Sequence, residues 1–99
     1  MRLFSRSTLR EFWETPGHQD AEQALRAWAD EAEKAAWSCP QDIKDQYGSA
    51  SFVANNRVVF NICGNKYRLV VSAHYPYLAA YVRSVGTHAE YDKIDVAVI

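Results

Sequence analysis

The sequence predicts an α+β fold, two N-terminal helices packed on a small twisted antiparallel β-sheet. Three observations carry that expectation. Apolar residues recur at helical spacing up to about position 36, the period becomes alternating from Arg57 onward, and the helices precede the strands rather than interleaving with them. A chain of 99 residues has room for one hydrophobic core, so residues 1–99 read as one domain.

Residues 1–5 suit a short strand. Thr8 and Glu11 have the spacing of a capping box, and Leu9, Phe12 and Trp13 follow as one apolar face of a short helix that Pro16-Gly17 ends. A second helix is expected from about Asp20, with Gln23 at the matching capping position. Its stripe is Leu25, Trp28, Ala29, Ala32 and Ala36, opposite a solvated face of Glu22, Arg26, Asp30, Glu33 and Lys34. Ser38-Cys39-Pro40 breaks it, and residues 41–50 read as a connection with room for one helical turn.

Val58, Phe60 and Ile62 then alternate with Arg57, Val59 and Asn61, and Tyr67, Leu69 and Val71 alternate with Lys66, Arg68 and Val70. Between them Gly64-Asn65 suits a two-residue hairpin loop with glycine first. That loop sets the register: Ile62 faces Tyr67, Asn61 faces Arg68, Phe60 faces Leu69, and Arg57 faces Ser72. One face is apolar and belongs to the core. The other carries Asn61, Arg68 and Arg57. A third strand runs through Leu78–Val85, with Val82 inward and Arg83 on the side of Arg68.

Composition narrows the function. A domain this small encloses no deep cavity, so a site on a shallow face, for a large polymeric substrate, is expected. Net charge is −1, but residues 1–50 sum to −3 and residues 51–99 to +2. No acid occurs from Ser51 to Ala89, where Arg57, Lys66, Arg68 and Arg83 lie, and that local field suits an anionic partner. No apolar run is long enough to span a bilayer, and Met1–Arg6 lacks the apolar core of a secretion signal, so a cytoplasmic chain with no membrane partner is expected. Cys39 and Cys63 lie far apart and outside any C-x-x-C pattern. Neither a zinc site nor a cofactor is expected.

Thr87 and Glu90 form another capping-box pattern just after the last strand, which puts His88 and Tyr91, at i and i+3, on one side of a helical turn. RNA cleavage without a metal needs a proton taken from the 2′-hydroxyl, charge neutralised at phosphorus and a proton given to the leaving oxygen. His88 and Tyr91 suit the proton steps, Arg68 and Arg83 the charge, and Lys66 a backbone phosphate. Each has a bland reading: a surface histidine, a packed tyrosine, a solvated arginine face. From the residues alone the result is a phosphate-binding sheet face beside a His–Tyr pair.

The blocks Val59–Val71 and Tyr81–Lys93, with G-N-x-x-R and T-H-x-E-Y-D inside them, resemble the HigB toxin family. The N-terminal words Ser7–Trp13, Leu25–Trp28 and Ala36-Trp37 are similar too. The resemblance implies a RelE-like fold and a ribosome-dependent messenger-RNA interferase, a metal-independent endoribonuclease that inhibits translation as the toxin of a type II toxin–antitoxin system. It implies two partners, messenger RNA on the ribosome and a HigA-like helix-turn-helix antitoxin. The matching positions assign Arg68, His88 and Tyr91 to chemistry and Arg83, Asn61 and Lys66 to RNA or ribosome contact, with Arg57 beside them on the same face. Gly64 and Asn65 are structural. Cys63 and the slightly negative charge depart from the family pattern. A non-catalytic RNA- or ribosome-binding module using the same face, and a protein–protein adaptor anchored by exposed aromatics, are the alternatives. Asp95–Ile99 is either a last strand piece or an antitoxin contact.

Overall fold

Alternation in residues 57–74 becomes a hairpin in the register that the Gly64 turn dictates. Strand β3 (Arg57–Ile62) pairs antiparallel with β4 (Tyr67–His74), setting Ile62 against Tyr67, Asn61 against Arg68 and Arg57 against Ser72. Gly64 takes φ 69 and the Lys66 amide donates to the Cys63 carbonyl over 3.2 Å, so a glycine stands where a side chain would be strained. Cys63 itself also takes a left-handed φ of 55.

The computed structural model describes residues 1–99 as an α+β fold of four helices and one five-stranded sheet. Strand β1 (Arg2–Phe4) leads into α1 (Arg6–Glu14). A 3-10 turn at Gln19–Ala21 precedes α2 (Glu22–Lys34), and α3 (Pro40–Gln46) precedes β2 (Ser51–Val53). After the β3–β4 hairpin come a 3-10 turn at Tyr75–Tyr77, β5 (Ala79–Thr87) and α4 (His88–Tyr91). The sheet order is β1-β5-β4-β3-β2.

The sheet is mixed, not antiparallel throughout: β1 lies parallel to β5, with Phe4 beside Tyr81. This crossover brings the first residues of the chain to the edge of the last long strand. Strand β5 also carries an extra residue. Val70 pairs with Ser84 and Val71 with Val82, so Arg83 bulges between them. Strict alternation from Val82 would have turned Val85 to the open face; the bulge returns it to the core.

Two capping expectations fail for long-range reasons. Helix α1 starts at Arg6 with Ser5 as cap residue and no side-chain cap, because β1 ends against β5 at Phe4 and the chain must turn at once; Thr8 therefore lies inside the helix. Helix α2 starts at Glu22, and Asp20 spends its carboxylate on Lys66 and Tyr67 instead of on a helix end. The second helix also ends at Lys34, before Ala36, which is exposed. Residues 40–46 form a helix whose Ile43 enters the core. Asp95–Ile99 forms turns, not a strand.

The core lies between the helices and one sheet face. Leu9, Phe12 and Trp13 of α1 and Leu25, Trp28, Ala29 and Ala32 of α2 meet Phe60, Ile62, Tyr67, Leu69 and Val71. Phe60 is its hub, with Trp28 5.2 Å, Tyr47 5.2 Å and Trp37 6.2 Å away between ring centres. Burying such a ring is worth roughly 1.5–3 kcal/mol. No helix is long and apolar enough to cross a membrane.

Candidate functional site

With one sheet face given over to the helices, the polar residues of β3, β4 and β5 are left on the other. Arg68 lies on β4 there, directly opposite Asn61 of β3 and Gly86 of β5. Helix α4 begins as the capping pattern dictates: Thr87 Oγ1 accepts from the Glu90 amide over 3.3 Å, and Glu90 Oε1 accepts from the Thr87 amide over 2.9 Å. These bonds hold the Glu90 carboxyl below its usual range, the Thr87 amide being the main cause.

The cap turns α4 back over β4. Arg68 Nε reaches His88 Nε2 at 3.4 Å, and the Arg68 guanidinium carbon lies 4.8 Å from the centre of the Tyr91 ring. Arg68 Nε donates to His88 Nε2 only when that nitrogen carries no proton of its own. Arg68, His88 and Tyr91 are all half-buried. Cation, titratable imidazole and phenol thus meet on a shallow face.

Arg83 reaches the same face further along the sheet, where its Nε donates to Ser72 Oγ over 3.1 Å. Asn61 is half-buried opposite Arg68. Lys66 turns the other way: it pairs with Asp20, and its ammonium lies 5.4 Å from the centre of the Tyr67 ring, which belongs to the core side. Asp20 also accepts from the Tyr67 hydroxyl over 2.6 Å. Lys66 and then Tyr67 hold the Asp20 carboxyl below its usual range, and the Lys66 ammonium and the Tyr67 hydroxyl are correspondingly raised. Arg57 holds chain rather than standing free. Its guanidinium donates to the carbonyls of Asn55 and Ile99, next to an apolar cluster in which Val96 covers Val59 and Val70.

Two residues of this face go unmarked by the sequence pattern, Phe4 and Tyr81. Alternation with Val82 is the one hint of Tyr81. Phe4 has none, because only the parallel β1–β5 pairing brings it there. No group of histidine, cysteine, aspartate or glutamate side chains is arranged to hold a metal ion. The one cavity, about 310 Å³, opens on the helix side between Arg6, Ser7, Arg10, Trp13 and Arg26. Two of its three arginines are already paired, Arg6 with Asp30 and Glu33 and Arg26 with Glu22.

A family model described as the RelE-like toxic component of a toxin–antitoxin system, HigB_toxin, matches residues 21–94. The match contains α2, the hairpin, β5 and α4. No curated protein matches the chain.

Proposed function

The chain belongs to the HigB toxin family, RelE-like toxic components of toxin–antitoxin systems, and from that premise we propose that it is an endoribonuclease that cuts translated messenger RNA on the ribosome without a metal. The convergence of Arg68, His88 and Tyr91 on the open sheet face carries the reading.

In the proposed reaction the 2′-oxygen loses its proton and bonds to phosphorus while the bond from phosphorus to the 5′-oxygen breaks. The departing oxygen takes up a proton, leaving a 2′,3′-cyclic phosphate and a 5′-hydroxyl. His88 and Tyr91 handle the two protons, and Arg68 neutralises the charge that builds on the phosphate oxygens. Asn61 contacts the RNA beside Arg68, and Arg83 contacts it further along the face. Lys66 and Arg57, each tied to another part of the chain, serve mainly to hold the turn and the last residues. The net charge of −1 suits an enzyme that relies on the ribosome to present its substrate rather than on tight capture of free RNA.

A toxin of this family has an antitoxin partner; we assign it the helix-turn-helix, HigA-like type, and a cytoplasmic setting in which translation is the target. The test is induced expression of wild type and His88→Ala, with and without the adjacent gene, with message ends mapped. The expected result is growth arrest with cuts inside translated regions, lost in the variant and relieved by the neighbour. Arrest by both forms with messages intact would assign the face to RNA or ribosome binding alone.

A further inference from the structure

Beyond the Arg68 cluster the open face continues into a second array. Ser72 is the one buried polar residue, 0% exposed, at the middle of β4. Its hydroxyl accepts from Arg83 Nε at 3.1 Å and lies 3.3 Å from His74 Nε2. The Arg83 guanidinium carbon is 5.3 Å from the centre of the Tyr81 ring. Tyr81 stacks on Phe4, centres 4.6 Å apart and planes within 12°. The Arg2 guanidinium carbon lies 5.2 Å from the Phe4 ring centre, and His74 meets Tyr81 edge-on at 5.1 Å.

The result is a row, arginine–aromatic–aromatic–arginine, laid across β1 and β5. Its rings are half-buried, its two arginines are exposed, and neither arginine has an acidic partner. A ladder needed only for packing has no use for an unpaired cation at each end. Ser72 lies four residues along β4 from Arg68, roughly 13 Å at strand rise, within reach of neighbouring nucleotides of one strand. Arg83 makes the link, because its Nε donates to the Ser72 hydroxyl.

We propose that Arg2, Phe4, His74 and Tyr81, with Arg83, form a second subsite for single-stranded RNA. A nucleobase takes a ring face that Arg2 or Arg83 covers in the free protein, and the displaced guanidinium turns to the flanking phosphate. Rings and guanidinium planes accept any base, and stacking contributes affinity without a sequence code. The proposal rests on the RNA reading of the neighbouring cluster, and it adds a place for nucleotides away from the cut.

The experiment uses the full chain carrying His88→Ala, so that RNA is held and not cut, and short single-stranded RNAs with 2-aminopurine at successive positions. Stacking should quench one or two positions. Tyr81→Leu should remove that quenching and weaken binding roughly tenfold or more. Arg2→Gln, an exposed change that leaves the Phe4–Tyr81 stack in place, should weaken binding in the same direction and keeps the test open if Tyr81→Leu does not fold. Unchanged quenching and affinity in both variants, binding with no quenched position, or no binding of RNA would overturn the subsite. Failure of the cleavage reading looks different: RNA is held with position-dependent quenching, yet wild type leaves messages uncut.

Discussion

The guanidinium of Arg68 lies under the ring of Tyr91, 4.8 Å from its centre. In the same position its Nε points at His88 Nε2, 3.4 Å away. One planar cation therefore touches both residues of α4 assigned to proton transfer, which a lysine ammonium could not do. Arg68→Lys keeps the charge and loses the stack and the fixed donor. The expected result is a fall of about 10²–10³ in cleavage rate, with stability changed by less than about 0.5 kcal/mol. Cut-site yield in a purified translation reaction, beside a thermal melt, checks both. Wild-type rates from the lysine variant would show that charge alone suffices.

Thr87 positions His88 through the cap. Losing a threonine cap costs about 0.5–2 kcal/mol. A helix of four residues has little else to hold it, so the loss should show as motion of α4 rather than as unfolding. Thr87→Ala is expected to speed amide exchange at residues 90–92 and to lower the cleavage rate by up to about 10²-fold through misplacement of His88. Thr87→Ser, which restores an acceptor, should recover most of both. Exchange unchanged in the alanine variant would mean that α4 is held by its packing on β5.

The β3–β4 turn is tied to the loop before α2 by Asp20, through Lys66 and the Tyr67 hydroxyl. Those partners hold the folded Asp20 carboxyl below the roughly 3.9 of a free aspartate. A depressed folded value contributes stability that is fully present above the unfolded value and is lost as pH falls through the folded one. Wild type should therefore lose an increment of melting temperature below about pH 4 that Asp20→Asn does not lose, while the asparagine variant melts lower than wild type at neutral pH. Parallel acid titrations of the two proteins would show whether their melting curves converge. Tyr67→Phe should remove part of the same increment.

The parts of the fold legible in the sequence are those fixed by neighbours in the chain. The pairing of Asn61 with Arg68 follows from Gly64 and a period of two, and the start of α4 from Thr87 and Glu90, because in both cases the partners sit within a few residues. The parallel pairing of β1 with β5 joins Phe4 to Tyr81 across most of the chain, and three residues of strand carry no signal of it. That contact decides where α1 starts and so overrides the Thr8 pattern. Asp20 has the local pattern of a helix cap, and nothing near it in the chain reveals Lys66 and Tyr67. The same limit holds at the site. Arg68, His88 and Tyr91 could be singled out by type and spacing, whereas the row from Arg2 to Arg83 exists only once β1, β4 and β5 lie side by side.

Arg57 separates two kinds of role with one measurement. Its guanidinium donates to the carbonyls of Asn55 and Ile99, and the Asn55 side chain donates to the Ala97 carbonyl over 2.9 Å. The segment held in this way lays Val96 over Val59 and Val70, and Tyr91 and Ile94 pack on the same cluster. Residues 95–99 lie past the end of the family match, so the match does not cover the segment that carries Val96. Hydrogen bonds to a charged group contribute about 1.5–3 kcal/mol. Arg57→Gln should therefore speed amide exchange across residues 94–99 by roughly 10- to 150-fold, with a small change in global melting and a lower cleavage rate through a loosened Tyr91. A residue whose main part is to grip RNA would give the opposite pattern, with weaker RNA binding and unchanged exchange in that segment. Hydrogen exchange of the two proteins without RNA, followed by cleavage assays, decides which role Arg57 has.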